Sequence, residues 1–529
     1  MHNRAIFPVF SLALVLCVLL VPLATIISYY DFTSILNAYQ PYYLNILKFS
    51  LIQATLSSFI SLIMGTLFAH LLFKHRYIYG INIFTNLLSI TFVIPTIIIV
   101  LGIISVYGSS GYLSSIFKFI DYELGSFIYG IKGIILAHVL LNFPFVTRIL
   151  FQSLQDISED EWSLAKHNGL SNFVVFKTIE WPAIKKNIPT VLTMVFILCF
   201  MSFAPVLIFG GGPNYSTLEV AIYQALLFEY DFSKAINLSF VQLIVCLIFL
   251  SMFLLHNKVS FFVLSENRKS IKNSYSLNYV HEYFLIFIFF IFAFSPLLVI
   301  ITEGISSPLL VKTLLSNSFL KSLGYTFIIS IGSGFLSTVL TLGLLSFGKE
   351  FFVKKSLKKF VLFETYIYLL LVFSPVLISS GFFILFRKYF NILSPGLGLV
   401  ILINAIFTIP LSYSLIKSSF YRLFFEQDFL SKSIGLTGLN RFLLIEWPTI
   451  KIPVITAFIV TSIISASDLV IISFFGTNNF STLSLLIFRL MGSYRFEESQ
   501  VVSFLFLLYC FIYFIISYKL LTKLKLRII

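Results

Sequence analysis

The chain has 529 residues, 58% of them hydrophobic and only 11% charged, with a mean hydropathy of +0.99. A soluble domain carries roughly 25% charged residues, so the composition excludes a water-soluble fold and describes an integral membrane protein. The net charge of +14 would suit nucleic acid, but Lys and Arg gather in the cytoplasmic loops of membrane proteins. Position explains the charge without a polyanionic partner.

A bilayer crossing takes about 20 apolar residues, and in hydrocarbon each crossing must pair its own backbone, so the apolar runs predict an all-α membrane protein. About twelve transmembrane helices are expected. The first follows MHNRAIFPVF, runs to about residue 28 and lacks a small-residue cleavage site, so it reads as an uncleaved span. Residues 1–257 hold spans near 7–28, 49–73, 84–107, 131–150, 188–210 and 236–256. A polar joint, 258–281, leads to residues 282–529, with spans near 282–302, 323–347, 361–386, 397–419, 453–475 and 500–520. Pro95 and Pro375 fall inside the third span of each half and predict kinks. Cys17, Cys199, Cys246 and Cys510 sit in apolar runs without metal-ligand spacing, which argues against disulfides and zinc.

Lys and Arg set the orientation. With both termini inside, the inner loops hold Lys74, Arg76, Lys166, Lys177, Lys185, Lys349, Lys354, Lys432, Arg441 and Lys451 among many others. The outer loops hold few, such as Lys118, Lys234, Arg387 and Arg489. The N-terminus and C-terminus are therefore expected in the cytoplasm. Six spans in each half make the halves parallel repeats, which places a substrate path at their interface.

One polar stretch occurs twice. SLAKHNGLSNFVVFKTIEWPAIK at 163–185 and FLSKSIGLTGLNRFLLIEWPTIK at 429–451 align at an offset of 266 residues. That offset pairs Lys166 with Lys432, Gly169 with Gly435, Leu170 with Leu436, and Ile179-Glu180-Trp181-Pro182 with Ile445-Glu446-Trp447-Pro448. Each copy reads as a short helix, a glycine stop and a second helix re-entering the membrane. The acidic Glu159-Asp160-Glu161 suits a helix start, and 172–180 is expected to be helical before Pro182 begins the next element. A plain interfacial connector would also read this way; two copies in register suggest that each meets the same kind of partner.

These loops resemble the EAA loop of type I ABC importer permeases, roughly E-A-A-x3-G-x9-I-x-x-P. Gly169, Ile179 and Pro182 fit, as do Gly435, Ile445 and Pro448. The opening letters differ: Ser163-Leu164-Ala165 keeps only the second Ala, and Phe429-Leu430-Ser431 keeps neither. The resemblance implies two tandem permease domains of the MetI-like kind, with coupling loops at about 153–187 and 420–452. It implies that Ala165, Lys166, Gly169, Leu170, Ile179 and Pro182, with Lys432, Gly435, Leu436, Ile445 and Pro448, meet a separate ABC ATPase, a homodimer that uses ATP and Mg.

Two further stretches, FGGGPNYSTLEVAIYQALLFEYD at 209–231 and SASDLVIISFFGTNNFSTLSLLIFRLMGSYRF at 465–496, are similar to those of thiamine importer permeases. That likeness implies inward transport of thiamine or its phosphates across a bacterial inner membrane, delivered by a periplasmic or extracellular thiamine-binding protein. The two stretches carry matching polar turns, with Gly210, Gly211, Gly212 and Asn214 in one and Asn479 in the other. They are expected on the outer face, either to dock the binding protein or simply to close each domain.

Ionisable groups inside a span are costly and need partners or water. Asp468 lies in the eleventh expected span and corresponds to Ser202 by the repeat offset. A carboxylate there would offset desolvation of the fixed thiazolium charge of thiamine, with aromatic rings adding cation–π contacts; helix capping is the other reading. His138, Asn142 and Glu364 are further intramembrane candidates, for the path or for interhelical hydrogen bonds.

The sequence holds no G-x-x-x-x-G-K-[ST] phosphate loop, no His/Cys/Asp metal cluster and no nucleophile–base pair. The chain is therefore expected to be non-catalytic, to bind no cofactor itself and to leave ATP hydrolysis to its partner. The same class carrying ferric ion or another small solute, and an ion-coupled secondary carrier, remain open at this point.

Overall fold

The computed structural model describes residues 6–28, 41–76, 94–118, 127–210, 215–256, 280–353, 356–371, 373–390, 396–435 and 438–526, together with 81, 84, 87, 88 and 212. Nearly all of the expected joint at 258–281, and Gly211, Asn214 and Leu436, lie outside the described residues, as do the side chains of Lys166 and Lys432. Among the described residues the regular structure is helical throughout.

Up to residue 256 the helices are α1 (Ile6–Ser28), α2 (Pro41–Lys74), α3 (Thr96–Tyr107), α4 (Tyr112–Lys118), α5 (Ile131–Gln155), α6 (Glu159–His167), α7 (Asn172–Val175), α8 (Trp181–Phe200), α9 (Ala204–Phe209), α10 (Leu218–Leu227) and α11 (Phe232–His256). From residue 280 they are α12 (Val280–Ser306), α13 (Leu310–Leu314), α14 (Asn317–Val353), α15 (Leu357–Leu369), α16 (Pro375–Tyr389), α17 (Leu397–Ser433), α18 (Gly438–Arg441), α19 (Trp447–Ala466), α20 (Val470–Phe475), α21 (Leu483–Gly492) and α22 (Phe496–Leu526). Two π-helical turns, Phe176–Glu180 and Phe442–Glu446, precede α8 and α19.

Eleven helical stretches of the described residues are long and apolar enough to cross a membrane. The span expected at 361–386 is instead two shorter helices, α15 and α16, meeting at Ser374-Pro375. Proline has no amide hydrogen and its ring crowds the carbonyl four residues back, which suits it to a helix start, although Pro22 and Pro296 lie inside the continuous helices α1 and α12. Ser374 starts α16 afresh, its Oγ accepting from the Val376 and Leu377 amides at 3.0 and 3.4 Å. Pro95 likewise stands at the start of α3. Both prolines begin helices, where the sequence suggested mid-span kinks.

Two three-helix clusters form the centre: α2 packs on α5 and α8, and α14 packs on α17 and α19. In lipid, apolar burial does not drive helices together, so close approach through small residues does much of the work. Helix α2 buries Ser50, Ala54, Ser57, Ser61 and Gly65 along one stripe, and a Cβ on Gly65 would stand 2.6 Å from Val146 Cβ. Helix α14 buries Ser322, Ser330, Ser333 and Ser337 in the same manner, and a Cβ on Gly334 would run into Ser462.

The first long helix of each series crosses to the other. Helix α1 lies on α14 and α16, and α12 lies on α3 and α22. Both crossings use one device, a glycine of the receiving helix set against a proline of the visitor: Gly381 against Pro22, and Gly102 against Pro296. Polar ties reinforce the second crossing at its two ends. Glu282 takes Lys74 Nζ at 2.5 Å and His75 Nε2 at 2.7 Å. Toward the other end of α12, the Gln500 amide donates to Ser105 Oγ at 2.9 Å and to the Glu303 carboxylate.

A side chain at either glycine would overlap proline backbone. Gly102→Leu and Gly381→Leu should each cost at least about 1–3 kcal/mol of overpacking, read as a lower unfolding midpoint of the detergent-solubilised protein. Gly324→Ala, where a Cβ meets nothing within 4 Å, should not lower it. Equal stability of all three variants would refute this account of the crossings.

Candidate functional site

The repeated loop is built from backbone constraints. In the first copy Ser158 opens α6, its Oγ accepting from the Glu161 amide at 3.3 Å, and the helix ends at Gly169, whose φ is +59°. The Leu170 amide reaches back to Ala165 O at 3.1 Å and closes the Schellman-type stop. Gly435 repeats the conformation with φ +72°. A Cβ at either glycine would meet nothing within 4 Å, so it is the left-handed backbone, not space, that calls for glycine.

The second copy departs from the expected short helix. Position 158 becomes Phe424 by the repeat offset, the capping hydroxyl is lost, and α17 runs unbroken to Ser433. The expected helix at 172–180 is also modified, since its second half is π-helical in both copies. Pro182 and Pro448 follow within two residues. A proline cannot donate four residues back and crowds that carbonyl, and widening the preceding turn accommodates it.

Glu180 and Glu446 fasten these turns to the bundle. Glu180 is buried and lies 3.0 Å from His70 Nδ1 on α2. Glu446 lies 3.1 Å from Arg441 and 3.9 Å from Lys349, on the corresponding helix α14. Ala165 is buried, Ile179 and Ile445 are half-buried, and Gly169, Leu170, Pro182, Gly435 and Pro448 are exposed. Around them the loops hold out apolar side chains, with Phe173 74%, Ile434 67% and Leu444 65% exposed.

At the other candidate surface, the two Asn-x-Ser-Thr-Leu segments are pinned alike. The Leu218 amide donates to Ser50 Oγ of α2 at 3.1 Å, and the Leu483 amide to Thr326 Oγ1 of α14 at 2.9 Å. Gly210 ends α9, Gly212 has a φ of +144°, and Asn479 is exposed in the turn closed by Thr477 and Phe480.

Between the two series lies a cavity of about 350 Å³, inside the roughly 300–1,000 Å³ range of small-molecule sites. His138, Leu141 and Asn142 of α5 line one side with Leu198 and residues 201–205 at the α8–α9 break. Asn404, Phe407 and Thr408 of α17 line the other with Ile464 and residues 467–471 at the α19–α20 break, and Ile94, Thr96 and Pro375 complete the lining. The 266-residue offset carries His138 to Asn404, Leu141 to Phe407, Asn142 to Thr408 and Ser202 to Asp468. The cavity is therefore lined by the same positions from each repeat. Asn404, Phe407 and Thr408 were not singled out by sequence reasoning, although the offset applied to His138 and Asn142 points at Asn404 and Thr408, and Pro375 was singled out only as a kink.

Asp468 sits in the gap between α19 and α20 rather than within a continuous span. Its carboxylate accepts from the Val470, Ile471 and Ile472 amides at 3.2, 3.1 and 3.4 Å and caps α20. By the offset, Ile471 corresponds to Pro205, which has no amide hydrogen to satisfy. One repeat thus starts its second short helix with a proline and the other with a carboxylate. Among the described lining residues Asp468 is the one acid. Glu364 lies away from the cavity lining, 2.6 Å from Lys417 Nζ and 3.3 Å from the Tyr413 hydroxyl.

If Glu180 is what fastens the first loop, Glu180→Ala should speed amide hydrogen exchange across 172–180 by roughly tenfold or more, with α5 unaffected. Unchanged exchange would mean that packing alone holds the loop.

Residues 61–259 match the binding-protein-dependent transport system inner membrane component family. The thiamine transport system permease protein ThiP of Haemophilus influenzae is 32% identical over 481 residues, spanning 89% of this chain and 88% of that protein. That of Escherichia coli is 30% identical over 491 residues, 90% and 89% of the two chains. A probable sulfate transport system permease protein, cysT of Helicosporidium sp., is 24% identical over 269 residues, 49% of this chain but 98% of its own length. Likeness that runs nearly end to end through both chains, on a helical bundle with a cavity between its repeats, decides the matter: the chain belongs to the family of binding-protein-dependent transport system inner membrane components.

Proposed function

We propose that this permease carries thiamine, or its phosphates, into the cytoplasm as the membrane subunit of an ATP-driven importer. The observation that carries the reading is the end-to-end likeness to thiamine transport permeases, on a chain whose two repeats line one small-molecule-sized cavity. Both termini and both repeated loops face the cytoplasm in this reading, in line with the Lys and Arg bias. The exposed apolar side chains of the loops seat in an ABC ATPase homodimer, which handles ATP and Mg. A binding protein delivers the cargo at the pinned Asn-x-Ser-Thr-Leu turns.

Chemistry at the cavity supports a cation as cargo. The Asp468 carboxylate sets a negative charge beside the lining, Phe407 adds an aromatic face, and the remaining walls are apolar or neutral. A fixed organic cation loses little hydration there relative to a compact metal ion, and a single carboxylate offsets its charge. A ferric route would call for several carboxylates or tyrosines along the path, and among the described lining residues there is one carboxylate and no tyrosine.

The decisive experiment is uptake of labelled thiamine by vesicles holding this chain, a candidate ATPase and a thiamine-binding protein, with each component and ATP omitted in turn. Uptake should require all of them. Uptake by the chain alone would make it a carrier, and ATPase activity stimulated only by some other loaded binding protein would replace the cargo. Asn also caps helices well, so Asp468→Asn keeps the α19–α20 break while removing the charge. It should lower thiamine uptake by roughly tenfold, about 1.4 kcal/mol of lost attraction, without abolishing assembly. Gly169→Val with Gly435→Val should leave ATP hydrolysis running with little transport.

A further inference from the structure

The cavity is symmetric in position and asymmetric in chemistry. At each repeat-related pair the two sides differ: His138 corresponds to Asn404, Asn142 to Thr408, Leu141 to Phe407, and Ser202 to Asp468. The wall from the second repeat carries the one acid, Asp468, together with Phe407, Asn404 and Thr408. The wall from the first repeat carries no acid and offers His138, Asn142 and Ser202, with Phe203 as its aromatic ring. That single acid is what would tell the charged end of a cargo from a neutral polar end.

His138 is the group on the neutral wall whose chemistry is not consumed by the fold. It is buried, lines the cavity, and its Nε2 has no hydrogen-bond partner. A buried polar atom left unpaired costs about 1–3 kcal/mol, which invites a partner from whatever enters the cavity. Its Nδ1 lies 3.2 Å from Ser57 Oγ on α2. Other hydroxyls of α2 give their single proton to carbonyls of the same helix: Ser50 to Ile46 at 2.8 Å, Thr55 to Leu51 at 2.7 Å and Thr66 to Leu62 at 2.7 Å. Ser57 instead faces His138. With the Ser57 proton on Nδ1, the imidazole keeps its own hydrogen on Nε2 and offers a donor. Asn142 on the next turn is engaged, its amide donating to His138 O at 2.8 Å and to Cys199 Sγ at 3.4 Å. Asn404, which corresponds to His138 on the other wall, likewise has an amide nitrogen without a hydrogen-bond partner.

We infer that His138 is a specificity residue that fixes the orientation of the cargo, its Nε2–H meeting a ring-nitrogen acceptor at the neutral end while the cationic end lies against Asp468 and Phe407. This rests on the thiamine reading above. Thiamine supplies both ends, a thiazolium ring and an aminopyrimidine ring, whose nitrogen beside the amino group is the acceptor assigned to His138. Ser57 acts through His138 as a positioning residue, holding the tautomer that donates.

The test uses the complete importer and two probes, thiamine and oxythiamine. In oxythiamine the pyrimidine amino group is replaced by oxygen and the adjacent ring nitrogen carries hydrogen, so that donor would meet donor. The binding protein and ATPase are common to all measurements, so a change in the thiamine-to-oxythiamine uptake ratio on mutating the permease reports the permease alone. His138→Phe keeps the ring size and should lower that ratio roughly tenfold, as for one buried hydrogen bond, mostly through lost thiamine uptake. His138→Gln, which retains an amide donor, should restore part of it. Asp468→Asn should depress both probes alike and leave the ratio near the wild-type value. Stimulation of ATP hydrolysis by the loaded binding protein serves as the check that each variant assembles.

An unchanged ratio in an assembled His138→Phe importer overturns the inference, whether or not total uptake falls, because a merely structural role would affect both probes equally. A ratio shift of the same size in Asp468→Asn would also overturn it, since the two ends would not be separately read. No thiamine uptake by the wild-type importer is a different result: it removes the thiamine reading itself.

Discussion

A helix that stops inside a membrane leaves backbone amides and carbonyls without partners, at several kcal/mol apiece in hydrocarbon. This bundle interrupts its helices around one cavity, at Pro95, at 201–203, at Pro375 and at 467–469. The cavity exists because of these interruptions, and each must be made tolerable locally. Pro95 and Pro375 lack the amide that would otherwise be orphaned, and Ser374 serves two more with its hydroxyl. Pro205 removes a donor from the start of α9. At the repeat-related position the donor is present, as the Ile471 amide, and Asp468 accepts from it. The charge beside the cavity is thus first a solution to a backbone problem. Its side effect, one carboxylate against an otherwise neutral lining, is what a cationic cargo can use.

This dual role explains what the sequence could and could not say. Membrane class, helical fold and the repeated loop were legible because they follow from composition and from a register that the eye can check. The break at Ser374-Pro375 was legible as a proline but not as a stop, because whether a proline kinks or ends a helix depends on what caps the far side. Asp468 was found as an ionisable group in an apolar run; the structure shows the cap, made at the cavity lining, and the substrate role belongs to the proposal above. Asn404, Phe407 and Thr408 were missed for a plainer reason: neutral residues in an apolar run carry no alarm, and only the repeat offset, used as a map rather than as a curiosity, would have flagged them.

The crossing helices were invisible in a different way. Nothing in the pattern of α1 or α12 says which neighbours it will choose, since every apolar face suits lipid and protein equally. What selects the neighbour is steric: Gly102 and Gly381 open slots into which Pro296 and Pro22 fit. Each slot lies on a helix that begins at a cavity-lining break, α3 after Pro95 and α16 at Pro375. The crossings therefore brace, from outside, the same interrupted helices whose starts border the cavity.

The loops complete a mechanical chain. Glu180 ties the first π-helical turn to α2 through His70, and α2 packs along α5, which carries His138 and Asn142 into the cavity. Glu446 stands near Lys349 of α14, which packs along α17 with Asn404, Phe407 and Thr408. A displacement of either loop is therefore delivered to one wall of the cavity through a single long helix and its tightly packed neighbour. Small-residue contacts such as Gly65 on Val146 make that pair stiff, because there is no slack side chain to absorb motion. Moving both loops together would shift the two walls as a pair, and moving one alone would shear the charged wall against the neutral one. In the binding mode inferred above, a cargo held at both ends would resist that shear, and so would couple the two loops through the cavity.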